Sequence, residues 1–555
     1  MSQHSISIIA IASPVLFILL AIASWFQSGI RPKAIIAMSK VFTSINILIA
    51  LVSCFYVYQY NLIQSGFIGI KNLGLSLRLD SVSAIMLLMI SLLGFIIIKF
   101  SINYLDGDSR QGAFIGRLAA TIASVELLVL SANLGLLFIA WVLTSVCLHR
   151  LLLFYNDRPV ARVVAKKKFI LARLGDLCLL LAVILLYNHF GTGDLETIFI
   201  QVKQSGGTIA FSGLEVPALF LGLAAIFKSA QFPTHGWLIE VMETPTPVSA
   251  LLHAGLLNAG PFLIIRMAFL IDVSSSTPIL LLIIGGITAL FASVVYLTQT
   301  SVKTALGYSS IGHMGFSLML CGLGVYSAAL LHLVAHSFYK AHSFLSSGSG
   351  IDALKASRIT KEPKKERPVK VVVGILMALS LYAIFAYVWG LDFQNDFSLL
   401  LIGAVIVMGL SRIFTSALST KWNSGLVAQA GLIGLLVATA FFVLESGTDF
   451  LLHSEIPEPT MPGPGKMITA IIIFAIFGIA VLIQIIAPQL SSKPFYRKLA
   501  IHVRNGFYTN AIFDRLISAL RIHSPKNKLN PATSSSPEAK PEKSKIKELE
   551  EQVAS

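Results

Sequence analysis

The sequence predicts an all-α integral membrane protein with about fifteen transmembrane helices, and three observations carry that expectation. Of its 555 residues, 55% are hydrophobic and 12% are charged, against about 25% charged in an ordinary soluble chain. The mean hydropathy is +0.80. Apolar runs of about 20 residues, enough to cross a hydrocarbon core of about 30 Å, recur along most of the chain.

The expected spans are residues 5–26, 34–57, 81–104, 113–131, 133–154, 167–189, 212–231, 246–270, 277–298, 302–323, 325–347, 369–389, 397–418, 424–444 and 467–488. The first run, Ser5 to Phe26, has no basic flank and no small-residue cleavage site, so it reads as a retained span. Basic residues alternate between loops. Arg31, Lys33 and Lys40 follow the first span; Arg158, Arg162, Lys166, Lys167 and Lys168 follow the fifth; a run from Lys355 to Lys370 follows the eleventh; Lys421 follows the thirteenth. Asp194 and Glu196, Asp272, Asp392 and Asp396, and Glu445 to Glu458 mark the opposite side. Lys/Arg-rich loops stay cytoplasmic. The expected topology in the cell inner membrane therefore has the N-terminus outside and the C-terminus inside.

Two segments do not read as spans. Gly66 to Asp80 is short and mixed, and is expected to form an external hairpin. Residues 491–523 interleave Phe495, Tyr496, Phe507 and Tyr508 with Arg497, Lys498 and Arg504, which suits an interfacial segment or a docking surface. Residues 524–555 are rich in Ser, Pro, Lys and Glu and read as mostly disordered. The chain thus divides into N-terminal helices with the hairpin (1–75), a core (76–350), C-terminal helices (351–490), the interfacial segment and the tail.

The net charge of +15 would suggest nucleic acid in a soluble protein. Here the excess lies in loops and tail, so the bilayer explains it and no nucleic-acid partner is expected. Cys54, Cys147, Cys178 and Cys321 each stand alone in apolar runs, without metal-site or disulfide spacing. No metal site and no cofactor are expected in this chain. There is no dinucleotide fingerprint, since Gly191-Thr192-Gly193 lacks the strand, third glycine and helix such a site needs, and no nucleophile triad.

The chemistry lies in ionisable groups deep in apolar runs, which are costly there and so mark function. Lys228 precedes Pro233, which breaks the helix just beyond it. A break at membrane depth is tolerated where backbone lines a polar cavity. His253 follows in the next span; alone it would read as a hydrogen-bonded structural histidine. His332, His336 and Lys340 recur at i, i+4 and i+8 and share a helix face. Histidine titrates near neutral pH, which suits a proton wire. A His-x-x-x-His metal pair is the rival reading, but no carboxylate or cysteine nearby in sequence completes it. Lys303 opens the tenth span, as a relay member or a snorkelling anchor. Acidic partners are sought among Glu126, Asp176, Glu240 and Glu243, with Asp176 three residues after Arg173 and able simply to pair with it.

Phe227-Lys228-Ser229-Ala230-Gln231 and Pro245-Thr246-Pro247-Val248-Ser249-Ala250-Leu251-Leu252-His253-Ala254 resemble the central motif of the proton-translocating membrane subunits of complex I and of Mrp-type cation/proton antiporters. Ser301-Val302-Lys303-Thr304-Ala305-Leu306-Gly307-Tyr308-Ser309-Ser310 and His332 to Lys340 continue the resemblance in order, over roughly residues 75–350. The resemblance implies two inverted five-helix bundles, each with a broken helix. It also implies that Lys228, His253, Lys303, His332, His336 and Lys340 are relay positions. The family's glutamate after the fifth-span tryptophan is missing, since Val142 follows Trp141; Asp176 or Glu126 would have to substitute. Arg412 is the nearest charge to the family's twelfth-span exit lysine.

His253 to Gly260, Leu148-His149-Arg150 and Arg504 to Tyr508 are similar to the DabB family, membrane subunits of inorganic carbon accumulation complexes. That resemblance implies a non-enzymatic coupling subunit whose ion flux drives CO2 hydration on a partner. The partner implied is a DabA-like subunit resembling a zinc β-carbonic anhydrase, so zinc is expected there. The alternatives are a subunit of an Mrp-type antiporter or complex I-like oxidoreductase, and a scaffold carrying no flux.

Overall fold

The computed structural model describes residues 3–155, 159–204, 213–241, 244–347, 368–393, 395–419, 424–458, 460–490 and 494–519. The basic loop at 348–367, Lys421, Glu243 and the tail lie outside the described residues.

Helices dominate. In chain order they are α1 (Gln3–Ala23), α2 (Lys33–Tyr60), α3 (Ser81–Tyr104), α4 (Gln111–Val129), α5 (Leu134–Leu152), α6 (Pro159–Phe190), α7 (Leu195–Gln204), α8 (Glu215–Lys228), α9 (Gly236–Glu240), α10 (Thr246–Ala254), α11 (Ala259–Arg266) and α12 (Ala268–Asp272). They continue as α13 (Ser276–Tyr296), α14 (Val302–Leu323), α15 (Tyr326–Leu345), α16 (Pro368–Trp389), α17 (Phe397–Ser419), α18 (Ser424–Leu452), α19 (Pro464–Leu490), α20 (Pro494–Arg504) and α21 (Thr509–Ala519). Among the described residues, eleven helical segments are long and apolar enough to cross a membrane. The remaining expected spans fall on α1, α8, α14 and α15. The apolar stretch of α1 is Ile9–Ala23, α8 is cut short by its break, and α14 and α15 carry the polar residues described below.

Burial grades these helices by position. The stretch Thr246–Arg266 is buried throughout its apolar window, whereas Gly425–Leu452 and Pro464–Ile485 are 22% buried. The chain from α10 to α11 therefore runs through the centre, against α3, α8, α14 and α15. An all-round apolar helix suits either setting, because lipid and protein interior are both apolar. Close approach is bought by small residues: a Cβ on Gly315 of α14 would lie 2.7 Å from the Gly285 carbonyl of α13.

The expected hairpin is present. Ile68–Ile70 (β2) pairs antiparallel with Leu73–Leu75 (β3), flanked by Ile63–Gln64 (β1) paired with Arg78–Leu79 (β4). Lys71 and Asn72 at the turn have φ of 49° and 62°, as a two-residue hairpin turn matching strand twist requires. The Asn72 carbonyl accepts from Gly193 N at 3.0 Å and from Asn133 Nδ2 at 3.1 Å, fastening the hairpin over the ends of α5 and α6.

One loop assignment is corrected. Lys166, Lys167 and Lys168 belong to α6, and Lys167 and Lys168 are buried. Each has a partner that offsets burial: Lys167 meets Glu240 at 2.7 Å, and Lys168 donates to the Ser145 carbonyl at 3.0 Å.

At the bundle end where α13 closes and α14 opens, the segment at 494–513 packs on its own chain. The Arg504 carbonyl accepts from Gln299 Nε2 at 3.1 Å, and Asn510 Nδ2 donates to Glu240 Oε1 at 3.1 Å. Phe495 and Ile501 on α20 remain exposed.

Candidate functional site

Two breaks organise the centre. The first follows Lys228, where Ala230 takes a φ of 53° and Pro233 lies in the turn before α9. Proline offers no N–H to continue the ladder, and the freed Phe232 N–H donates to Thr288 Oγ1 at 3.1 Å. The second lies at Gly255, between α10 and α11. There Asn258 Nδ2 spans the gap, donating to the Ala254 carbonyl at 3.0 Å and to Ser337 Oγ of α15 at 2.7 Å. The two broken segments touch closely: a Cβ on Gly260 would sit 1.8 Å from Ser229 Oγ, so only glycine fits.

The first break delivers Lys228 to α5. Its Nζ donates to the Trp141 carbonyl at 2.9 Å, to Thr144 Oγ1 at 2.8 Å and to Ser145 Oγ at 2.7 Å. It also lies 4.3 Å from the Trp141 ring centroid. All these partners are neutral. Asp176 pairs instead with Arg173 at 2.6 Å, although it remains within electrostatic reach of Lys228.

Glu126 is not a partner of Lys228. Its Oε1 accepts from Asn46 Nδ2 of α2 at 2.8 Å, and Asn46 also donates to Ser91 Oγ of α3 at 2.9 Å. Glu126 faces the α2–α3 side of α4, a direction an all-apolar helix does not reveal in its sequence.

The second cluster centres on α15. His313 of α14, which was not among the expected relay residues, places Nδ1 3.3 Å from His332 Nε2. Its ring lies 4.8 Å from that of His336. His332 and His336 are 6.0 Å apart, centroid to centroid. His253 stacks on Phe344 at 4.3 Å. The buried Lys340 donates to the Leu306 carbonyl at 3.3 Å and acts electrostatically on His253, His313 and His336. Both ring nitrogens of His253 and of His336 are buried without a protein hydrogen bond. Buried polar atoms of this kind are where water bridges side chains.

The structure thus brings His253, His332, His336 and Lys340 together and adds His313. Lys303 stays apart: it lies in the first turn of α14, about ten residues or ~15 Å along the helix from His313. His313 carried a readable signal, being ionisable within an apolar run like His253. A cavity of about 670 Å³ beside the cluster has a mostly apolar lining that includes His313, His332, Arg412 and Gln484, so Arg412 of α17 opens on the same space as the two histidines.

At the hairpin end a buried charge cluster closes the bundle. Asp80 caps α3, accepting from Ser83 N at 2.8 Å, and also receives Arg78 and Arg266. Arg78 reaches Glu196. Burial raises the Asp80 carboxyl, but Arg266 and Arg78 outweigh it and hold the group well below the carboxylate range. Glu455, in the loop after α18, accepts from Ser81 N at 2.6 Å and Val82 N at 3.0 Å. Burial, then the nearby Asp80 charge, pushes Glu455 up to about 7.

That shift has a sign. The docked Glu455 holds its proton more tightly than a free glutamate, so docking is strongest at low pH. It should weaken as pH rises from about 4.5 to about 7. Limited proteolysis of the loop at 453–458 should therefore quicken across that window, and Glu455→Gln should flatten the dependence. An unchanged pH profile in the variant would assign it to another group.

The comparisons with known proteins bear on this geometry. Residues 131–400 match the family model described as "NADH:quinone oxidoreductase/Mrp antiporter, TM", and residues 67–115 match "NADH-Ubiquinone oxidoreductase (complex I), chain 5 N-terminus". A protein of Halothiobacillus neapolitanus named "Probable inorganic carbon transporter subunit DabB2" is 34% identical over 93% of this chain and 94% of its own length. The chain belongs to the DabB family. A relative in Hydrogenovibrio crunogenus named "Probable inorganic carbon transporter subunit DabB" is 33% identical over 80% of this chain and 81% of its own. The NADH-quinone oxidoreductase subunit L of Rickettsia typhi is 29% identical, and the match covers 81% of this chain and 66% of that one. Among solved structures, the Mrp complex from Dietzia sp. superposes with a TM-score of 0.56 at 21% identity, over 100% of this chain and 59% of that chain. An archaeal membrane-bound sulfane sulfur reductase gives 0.56 at 19%, over 92% and 99%. These structures share the DabB chain's fold.

Proposed function

We propose that this DabB-family chain is the cation-translocating subunit of an energy-coupled inorganic carbon pump, with protons as the translocated ion. The observation that carries the reading is the pair of buried clusters at two helix breaks, in a chain that aligns with nearly all of a DabB relative. Lys228 serves the first cluster. His253, His313, His332, His336 and Lys340 form the second, and Lys303 is kept as a separate relay position in the first turn of α14. Unpartnered imidazole nitrogens can accept a proton from water or from one another and pass it on. The eleven long apolar segments together with α1, α8, α14 and α15 are taken as fifteen spans, with the two inverted repeats that the family resemblance implies, the N-terminus outside and the C-terminus in the cytoplasm.

The carbon chemistry is assigned to a DabA-like, zinc carbonic-anhydrase-type partner. One charge crossing ~100 mV releases about 2.3 kcal/mol, and a tenfold gradient costs about 1.4 kcal/mol. If CO2 enters uncharged, one proton per cycle sustains roughly a fiftyfold bicarbonate gradient.

A pull-down of the tagged chain from membranes, with mass spectrometry and zinc analysis, tests this reading. A stoichiometric zinc-bearing partner is expected. Quinone-reducing or antiporter subunits without zinc would overturn the carbon assignment and leave the ion relay standing.

A further inference from the structure

Two buried lysines meet at one residue. Lys228 Nζ of α8 donates to the Ser145 hydroxyl at 2.7 Å, and Lys168 Nζ of α6 donates to the Ser145 carbonyl at 3.0 Å. Lys168 is 6% exposed. Neither lysine takes part in an ion pair among the described residues. The carboxylate that acts electrostatically on both is Asp176, which is ion-paired with Arg173 at 2.6 Å.

Two ammonium ions on one serine, inside an apolar body and with one already shared carboxylate nearby, repel strongly. Like charges confined to one site do not both stay ionised. We propose that Lys168 is a relay residue that shares one mobile proton with Lys228 beside Ser145, through the Ser145 hydroxyl or a bridging water that takes up one proton as it gives up another. In the transfer, an N–H bond breaks at one amine and forms at the other, so the pair keeps a net charge of +1. The inference rests on the proton-translocation reading above and adds the direction of the path. The neighbouring Lys167 is held by Glu240 at 2.7 Å, and Glu240 accepts from Asn510 of the C-terminal segment at 3.1 Å. Lys168 therefore carries the proton from the break toward the bundle end that this segment covers.

The rival role is a pin, in which Lys168 only ties α6 to the Ser145 carbonyl. The two roles separate by substitution. Arginine keeps the charge and the bond but does not release its proton. Glutamine keeps a donor without charge. Histidine keeps a titratable nitrogen.

The experiment is proton flux through the complex purified with its native partners and reconstituted in vesicles, read by a pH-sensitive dye after an imposed pH step. Lys168→Arg and Lys168→Gln are each expected to lower flux at least ~100-fold, with an unchanged elution profile. Lys168→His is expected to retain measurable flux, with its pH optimum shifted downward. Wild-type flux in Lys168→Arg would overturn the relay role and leave a pin. Lys168→Arg preserves both charge and tether, so it decides the matter even if Lys168→Gln fails to assemble. If Arg and Gln are silent and His is silent too, the relay is likewise overturned. Absence of flux in the wild-type complex would instead remove the translocation reading itself.

Discussion

Replacing Lys228 with alanine is expected to lower ion flux at least ~100-fold while leaving the chain assembled. The first half follows from placement: Lys228 is the cationic side chain that the first helix break presents to α5, with three acceptors around its Nζ. The second half follows from what those acceptors are. All are neutral, so removing the ammonium strands no buried counter-ion, the situation that makes charge deletions costly. Thr144 Oγ1 keeps its own bond to the Trp141 carbonyl at 2.7 Å. The losses are hydrogen bonds of about 1 kcal/mol each and the contact with the Trp141 ring. Vesicle flux and a detergent elution profile, measured on one preparation, check both halves. Full flux in Lys228→Ala would remove this residue from the relay. Loss of assembly would show that the site is structural.

Eleven of the helical segments were legible because a bilayer demands long apolar runs, which hydropathy finds. His332, His336 and Lys340 were legible because their spacing puts them on one face of a single helix. What stayed hidden needed a second helix. His313 has no titratable neighbour one turn away on α14, and its partners come from α15. Lys167 and Lys168 were counted with the loop charges Arg162 and Lys166 although the expected span began at 167; the helix begins earlier still, at Pro159, and both are buried. Glu126, one of the candidates for the missing glutamate, meets Asn46 instead, and the sequence hid this for a related reason. An apolar helix carries no stripe that says which face meets which partner, so sequence gave its depth but not its direction. Arg266 passed unnoticed at the end of an apolar run, since its partner Asp80 lies 186 positions away.

That pair is where the largest effect on stability is expected. Asp80 and Arg266 have side chains 1% and 2% exposed. Asp80→Leu removes the cap of α3, worth about 1 kcal/mol. It also takes the carboxylate from two buried guanidinium groups. Arg78 would keep Glu196; Arg266 would keep hydrogen bonds to Ser83 Oγ at 2.6 Å and the Val129 carbonyl at 3.4 Å, the Phe262 ring and the more distant Glu455, but no carboxylate bonded to it. Stranding a buried charge costs about 3–5 kcal/mol, enough to lower the thermal midpoint of the purified protein by several degrees, about 2–4 °C per kcal/mol in large domains. Asp80→Asn keeps a side-chain oxygen for the cap and should fall between. The double variant Asp80→Leu/Arg266→Leu decides between the two contributions. Replacing both members of a buried pair by apolar residues is often close to neutral. A midpoint that recovers in the double variant would place the cost in the orphaned guanidinium. A midpoint that stays low would place it in the lost cap and in Arg78, leaving Arg266 a minor term.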